Sequence, residues 1–130
     1  MIHVENLTKK FGNILAVDNI SFNVQEGKIF GFLGPNGAGK TTTLRMLSTL
    51  IQPTNGHIVI NDHDCKKDGE YIRSIIGLLT ETPGMYEKIS AYENLNYFSG
   101  FYGIDEQKRK VNIERFLKMF DLWDRKDSLV

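Results

Sequence analysis

One stretch constrains this chain more than any other: Gly34-Pro35-Asn36-Gly37-Ala38-Gly39-Lys40-Thr41. It fits the order glycine, four variable residues, glycine, lysine, then serine or threonine that marks a phosphate-binding loop. Glycines at 34, 37 and 39 allow backbone turns closed to residues carrying a Cβ, and they let main-chain N–H groups approach an anion. The flanks agree. Residues 29–33 (Ile-Phe-Gly-Phe-Leu) form an apolar run suited to a buried strand, and residues 41–50 carry Leu44, Leu47 and Leu50 at helical spacing. Strand, loop and helix in that order aim the helix N-terminus at a phosphate, where the dipole contributes about 0.3–2 kcal/mol. Lys40 is then placed to reach the β and γ phosphates of a nucleotide, and the hydroxyl of Thr41 to meet Mg²⁺, a hard cation that prefers oxygen. The residues thus point to Mg-nucleotide binding.

Composition bounds the alternatives. The 130 residues suffice for one domain, and 16 basic residues balance 16 acidic ones. A net charge of zero leaves no electrostatic footprint for nucleic acid, so none is expected as a partner. No apolar run approaches the roughly 18 residues of a membrane span, and Met1-Ile2-His3-Val4-Glu5 does not read as a signal peptide. Direct membrane insertion is not expected, and the cytoplasm is the default compartment. A single cysteine, Cys65, excludes an internal disulfide framework.

Taken in order, Ile2, Val4 and Leu7 suggest an edge strand, followed by a turn over residues 8–13. Ile20, Phe22 and Val24 alternate with Ser21 and Asn23 as in a half-buried strand, and residues 25–28 turn the chain into the phosphate-loop strand. Pro53-Thr54-Asn55-Gly56 stops the following helix before a short strand at residues 57–61. A helical segment around residues 71–75 leads to the apolar run Ile76-Gly77-Leu78-Leu79 and a loop at residues 80–84. Ser90-Ala91-Tyr92-Glu93 is a capping box. The helix it opens carries Leu95, Phe98 and Tyr102 on one face and closes at Gly103. A second helix starts near Asp105 with Val111, Phe116, Leu117 and Phe120 as its apolar face. The expected class is α/β: a phosphate-loop NTPase core, an antiparallel β subdomain and the start of a helical subdomain.

These residues resemble the ATP-binding subunits of ABC transporters, particularly the bacterial exporter type. The matching stretches are residues 30–43, then Pro53-Thr54-Asn55-Gly56, then Ile76-Gly77 through Tyr86, then Glu93-Asn94-Leu95, so the resemblance spans the chain. It implies a single partial ATP-binding domain over residues 1–130, with a β and phosphate-loop part at 1–89 and a helical subdomain beginning at 90. It implies that Phe11 stacks on adenine and that Gly34, Pro35, Asn36, Gly37, Ala38, Gly39, Lys40, Thr41 and Thr42 hold ATP, with Lys40 also acting in catalysis. Glu81 falls where the family usually has the Q-loop glutamine, and the resemblance gives it a catalytic and Mg²⁺-binding role. Residues 82–90, with Met85 and Tyr86, resemble the part that docks a transmembrane permease subunit. A second ATP-binding subunit is the other implied partner, joining as a dimer on ATP binding. The chain is then expected on the inner face of the membrane, held there through the permease.

The resemblance also implies parts expected beyond Val130: an apolar strand ending in Asp-Glu, a Ser-Gly-Gly signature and a switch histidine. On that basis the stretch binds ATP without efficient hydrolysis. Without those parts Leu33, Leu44, Leu47 and Leu79 are expected to be partly uncovered. Two other readings stay open. One is a small self-contained phosphate-loop kinase or NTPase using Asp62 or Glu81. The other is a truncated subunit that docks without hydrolysing. Asp62-His63-Asp64-Cys65 mixes hard and soft ligands in a tight turn and reads as a solvated loop rather than a metal site.

Overall fold

The computed structural model describes residues 1–80 and 84–130. The chain divides into two compact units, Met1–Leu78 and Leu79–Val130.

The first unit is built on a four-stranded antiparallel sheet. Its strands are β1 (Ile2–Phe11), β2 (Ile14–Val24), β3 (Asn55–Ile60) and β4 (His63–Asp64), in the order β2-β1-β3-β4. β1 is therefore central, not the edge strand its sequence suggests, and it runs through most of the expected turn to Phe11. The hairpin closes on Gly12 and Asn13 alone, with Phe11 opposite Ile14. Alternation in β2 holds: Ile20, Phe22 and Val24 are half-buried, while Ser21 and Asn23 are exposed. The expected solvated turn at Asp62 is instead a second hairpin. Asn61 and Asp62 adopt φ of 47° and 66°, the left-handed pair that a two-residue turn requires and that Asn and Asp tolerate.

Helix α1 (Lys40–Leu47) and helix α2 (Gly69–Ile75) accompany this sheet. Val4, Leu7, Val17, Met46, Ile58, Ile60, Cys65 and Ile72 form one buried cluster. α1 contributes to it through Met46, and Thr43 and Ser48 are buried beside it, whereas Leu44 and Leu50 are exposed and Leu47 is half-buried. Of the three leucines, Leu47 packs against the cluster and Leu44 and Leu50 do not.

Residues 29–33 form no ladder among the described residues, contrary to the expected buried strand. Leu33 is 93% exposed, Phe30 stacks on Phe22 with ring centroids 5.2 Å apart, and Phe32 lies tilted against Phe22 at 5.7 Å. A strand is defined by its hydrogen-bonded neighbour, and an apolar run without one cannot bury its faces. The run at 76–79 is similar, forming no strand and leaving Leu79 exposed.

The second unit pairs α3 (Ala91–Phe101) with α4 (Glu106–Met119). The capping box forms as expected: Ser90 Oγ accepts the Glu93 N–H at 3.1 Å and the Glu93 carboxylate accepts the Ser90 N–H at 2.8 Å. Gly103, at φ 63°, closes α3, and Asp105 caps α4 by accepting the N–H groups of Gln107 and Lys108. In α4 the buried residues are Ile113 and Leu117, while Val111 and Phe120 stay exposed. The end of the chain returns to the start of α3, where the N–H groups of Ala91 and Tyr92 donate to the carbonyls of Ser128 and Lys126.

Candidate nucleotide-binding site

The phosphate-loop residues enter α1 through Gly39. This residue caps the helix with φ 85°, a left-handed conformation that costs any L side chain. It also sits hard against β2, where an added Cβ would lie 2.4 Å from the Ala16 carbonyl oxygen. Gly37 shares the left-handed backbone at φ 82°. The loop is thus folded by its glycines and seated on β2 by the last of them.

The first bond inside α1 runs from the Thr43 N–H to the Gly39 carbonyl at 2.8 Å, and the Thr43 hydroxyl donates to that same carbonyl at 2.9 Å. The amides of Lys40, Thr41 and Thr42 precede it and have no acceptor one turn back in the helix. They are the donors that a helix start offers an anion. Lys40 folds back over the loop, its ammonium donating to the carbonyls of Gly34 and Pro35 at 2.6 Å each. Gly34, Pro35, Asn36, Gly37, Ala38 and Thr41 are all exposed, and Thr42 is half-buried. Beside the loop lies an open cleft of about 360 Å³, with Ala16, Val17, Phe32, Gly37, Ala38 and Thr43 among its walls.

Phe11 stands at the hairpin end of β1, 48% exposed, with the Lys9 ammonium 4.9 Å from its ring centre. Its partner Ile14 is two residues from Ala16 along β2, about 7 Å at strand rise. A polyphosphate fits this donor set. The loop offers N–H groups and an ammonium, no acidic side chain occurs from Lys28 to Lys40 to repel it, and the left-handed glycines leave space that a Cβ would fill. Thr41, exposed in the first turn, is the hydroxyl available to a cation carried by the phosphates. Glu81, expected as the Q-loop position, lies outside the described residues, as do Thr82 and Pro83.

A larger cavity, about 480 Å³, lies in the second unit between α3 and α4. Its walls include Leu95, Ile113, Phe116 and Leu117, which suit hydrocarbon rather than phosphate. Among the described residues no group of three acidic, histidine or cysteine side chains is placed to hold a metal ion, including Asp62, His63 and Asp64. No helix among them is long and apolar enough to cross a membrane.

Four structural contributors were not singled out beforehand: Ala16 and Val17 form the seat of the loop, Thr43 closes the first turn of α1, and Asn94 is fully buried in the second unit. Thr43 and Asn94 carried some signal, as parts of the matching stretches at residues 30–43 and Glu93-Asn94-Leu95.

A glycine-folded anion loop opening a helix is the mark of a phosphate-loop nucleotide-binding protein. The ABC transporter family model matches residues 17–130, and the chain belongs to that family. It is 41% identical over its whole length to the bacitracin transport ATP-binding protein BcrA of Bacillus licheniformis, of which it covers 42%. It is 38% identical over 94% of its length to the probable multidrug ABC transporter ATP-binding protein YbhF of Escherichia coli K12, covering 21% of that protein. Among solved structures, an ATP-binding subunit of an ABC transporter superposes over 99% of the chain with a TM-score of 0.82 at 28% identity, the chain covering 54% of it. The ATP-binding cassette MJ0796, in a dimer bound to ADP and Pi, gives 0.81 at 27% identity over 99% of this chain and 61% of its own. The fold is accordingly an incomplete phosphate-loop NTPase fold of the ABC type. The chain spans less than half the length of these curated relatives.

Proposed function

We propose that the chain binds Mg-ATP as the nucleotide-binding part of an ABC transporter subunit that powers transport across a membrane. The observation that carries this is the entry into α1: Gly39 held left-handed against Ala16, with Lys40 across the mouth of the loop. On this reading the amides at the start of α1 take the β phosphate, Lys40 exchanges its carbonyl partners for β and γ oxygens, and Thr41 meets Mg²⁺. Mg²⁺, when bound, would be held through the Thr41 hydroxyl and would neutralise phosphate charge. Phe11 stacks on the adenine. Residues 1–89 hold the nucleotide and residues 90–130 begin the helical subdomain.

Hydrolysis belongs to the assembled transporter, in which a second ATP-binding subunit completes the site. Residues 82–90 dock the permease, which holds the chain at the cytoplasmic face of the membrane. On the same reading Glu81 takes the Q-loop role, with a carboxylate in place of the family's usual amide.

Titration with a fluorescent ATP analogue tests the reading. Saturable binding that needs Mg²⁺ and falls at least tenfold in Lys40→Ala is the expected result. Equal affinity in the wild type and Lys40→Ala overturns it.

A further inference from the structure

Lys9 and Phe11 stand two residues apart on β1, so their side chains leave the strand on one face. The half-buried Lys9 places its ammonium over the Phe11 ring, 4.9 Å from the centre, and donates to the Gln52 carbonyl at 2.7 Å. Among the described residues no carboxylate pairs with Lys9, so the ring and this carbonyl are where its charge is directed. A cation on an aromatic face is attracted by the negative charge of the π-system there.

Gln52 lies between α1 and β3, in a segment that is itself tied to β1 beside Phe11. The Thr54 N–H donates to the Thr8 carbonyl at 2.8 Å, and the Lys10 N–H donates to the Thr54 hydroxyl at 2.9 Å. Both bonds hold this segment against the stretch of β1 that carries Lys9, so the Gln52 carbonyl is a fixed anchor for the ammonium. Phe11 needs such a holder. Its ring is half exposed at the end of the hairpin, with no aromatic neighbour among the described contacts to set its orientation.

We infer that Lys9 is a positioning residue for the base of the nucleotide: anchored on the Gln52 carbonyl, it occupies one face of the Phe11 ring and leaves the other face presented to the base. The inference rests on the adenine-stacking role proposed above for Phe11. Lys9 acts through the ring, not on the nucleotide itself. A ring already ordered before the nucleotide arrives spares binding the entropy of immobilising it. The benefit goes to ligands that carry a base, because inorganic triphosphate makes no use of the ring.

The test is calorimetric titration of the chain with Mg-ATP and, separately, with inorganic triphosphate and Mg²⁺. Lys9→Met keeps an unbranched apolar stem without the charge, and Lys9→Arg keeps a cation with donors for the Gln52 carbonyl. Lys9→Met should bind ATP about two- to tenfold more weakly, the cost of ordering one side chain, and triphosphate as the wild type does. Lys9→Arg should restore ATP affinity. In a Phe11→Ala background Lys9→Met should change nothing further, because a residue acting through the ring has no effect without it. Phe11→Ala binding ATP like the wild type overturns the stacking role and the Lys9 role with it. Phe11→Ala weakened while Lys9→Met binds ATP normally overturns the Lys9 role and leaves stacking standing. Equal weakening of Lys9→Met toward ATP and triphosphate, or a further loss in the Phe11→Ala background, also overturns positioning through the ring.

Discussion

Gly39 and Ala16 are in a contact that only glycine permits: a Cβ on Gly39 would stand 2.4 Å from the Ala16 carbonyl oxygen and 3.0 Å from Val17 Cγ2. Because Gly39 also caps α1 at φ 85°, the same atom would strain the backbone that turns the loop's amides outward. Gly39→Ala should cost about 1–3 kcal/mol from the left-handed backbone alone, before the clash is counted. Denaturant midpoints and ATP-analogue affinity should both fall, and a variant that keeps both would show that the loop is not seated on β2.

On the proposed reading, Phe11 carries the adenine end of the site. Its ring is half exposed and has the Lys9 ammonium near it but no aromatic partner among the described contacts. Phe11→Ala should weaken the ATP analogue by about 1–3 kcal/mol, the worth of a stacked base, while inorganic triphosphate binds as before. Phe11→Trp should restore the loss. Equal weakening toward triphosphate would place the effect in the fold of the hairpin instead.

How far the sequence foretold this arrangement depends on what each feature needs. The loop's backbone was legible because its requirements are local: Gly37 and Gly39 stand where the left-handed turns fall. The Ser90 and Glu93 box was legible for the same reason. β1 was misread as an edge because its two neighbours, β2 and β3, are set by pairings that no local pattern encodes. The run at 29–33 has strand composition but no described partner to pair with. Leu44, Leu47 and Leu50 keep helical spacing, yet Thr43 and Met46 are the buried residues of α1 and only Leu47 of the three leucines packs against the cluster. Asn94 escaped notice because a polar residue beside a capping box reads as exposed until its four hydrogen bonds to Tyr86, Ile89 and Ser90 are seen.

The capping box makes part of the second unit's stability dependent on acid. Glu93 is held below its ordinary pKa of 4.5, first by the Ser90 N–H it accepts and then by the Ser90 side chain. A carboxyl depressed in the folded state binds fewer protons there than in the unfolded chain. Its contribution is complete above the ordinary value and is lost as pH falls through the lowered one. The difference in Tm between wild type and Glu93→Gln should therefore shrink as pH falls below the ordinary value of 4.5. A difference constant across that range would contradict the assignment. Ser90→Ala removes the other half of the box and should cost about 0.5–2 kcal/mol at neutral pH.

Cys65 lies in the buried cluster with its thiol pushed up to about 11, chiefly by burial and then by Asp64 nearby. The thiolate is the reactive form, so alkylation at neutral pH should be slow in the folded chain and fast in denaturant. Its rate then counts the opening of the first unit. Labelling equally fast with and without denaturant would show that the cluster around Met46 and Ile72 is not closed.

The most direct measurement of the central claim is an NMR titration of the chain with Mg-ATP, following the amides of Gly37, Gly39, Lys40 and Thr41. The account predicts large, saturable shifts at these four amides and their disappearance in Lys40→Ala. A well-dispersed spectrum in which these amides stay still, or shift equally in Lys40→Ala, would contradict it.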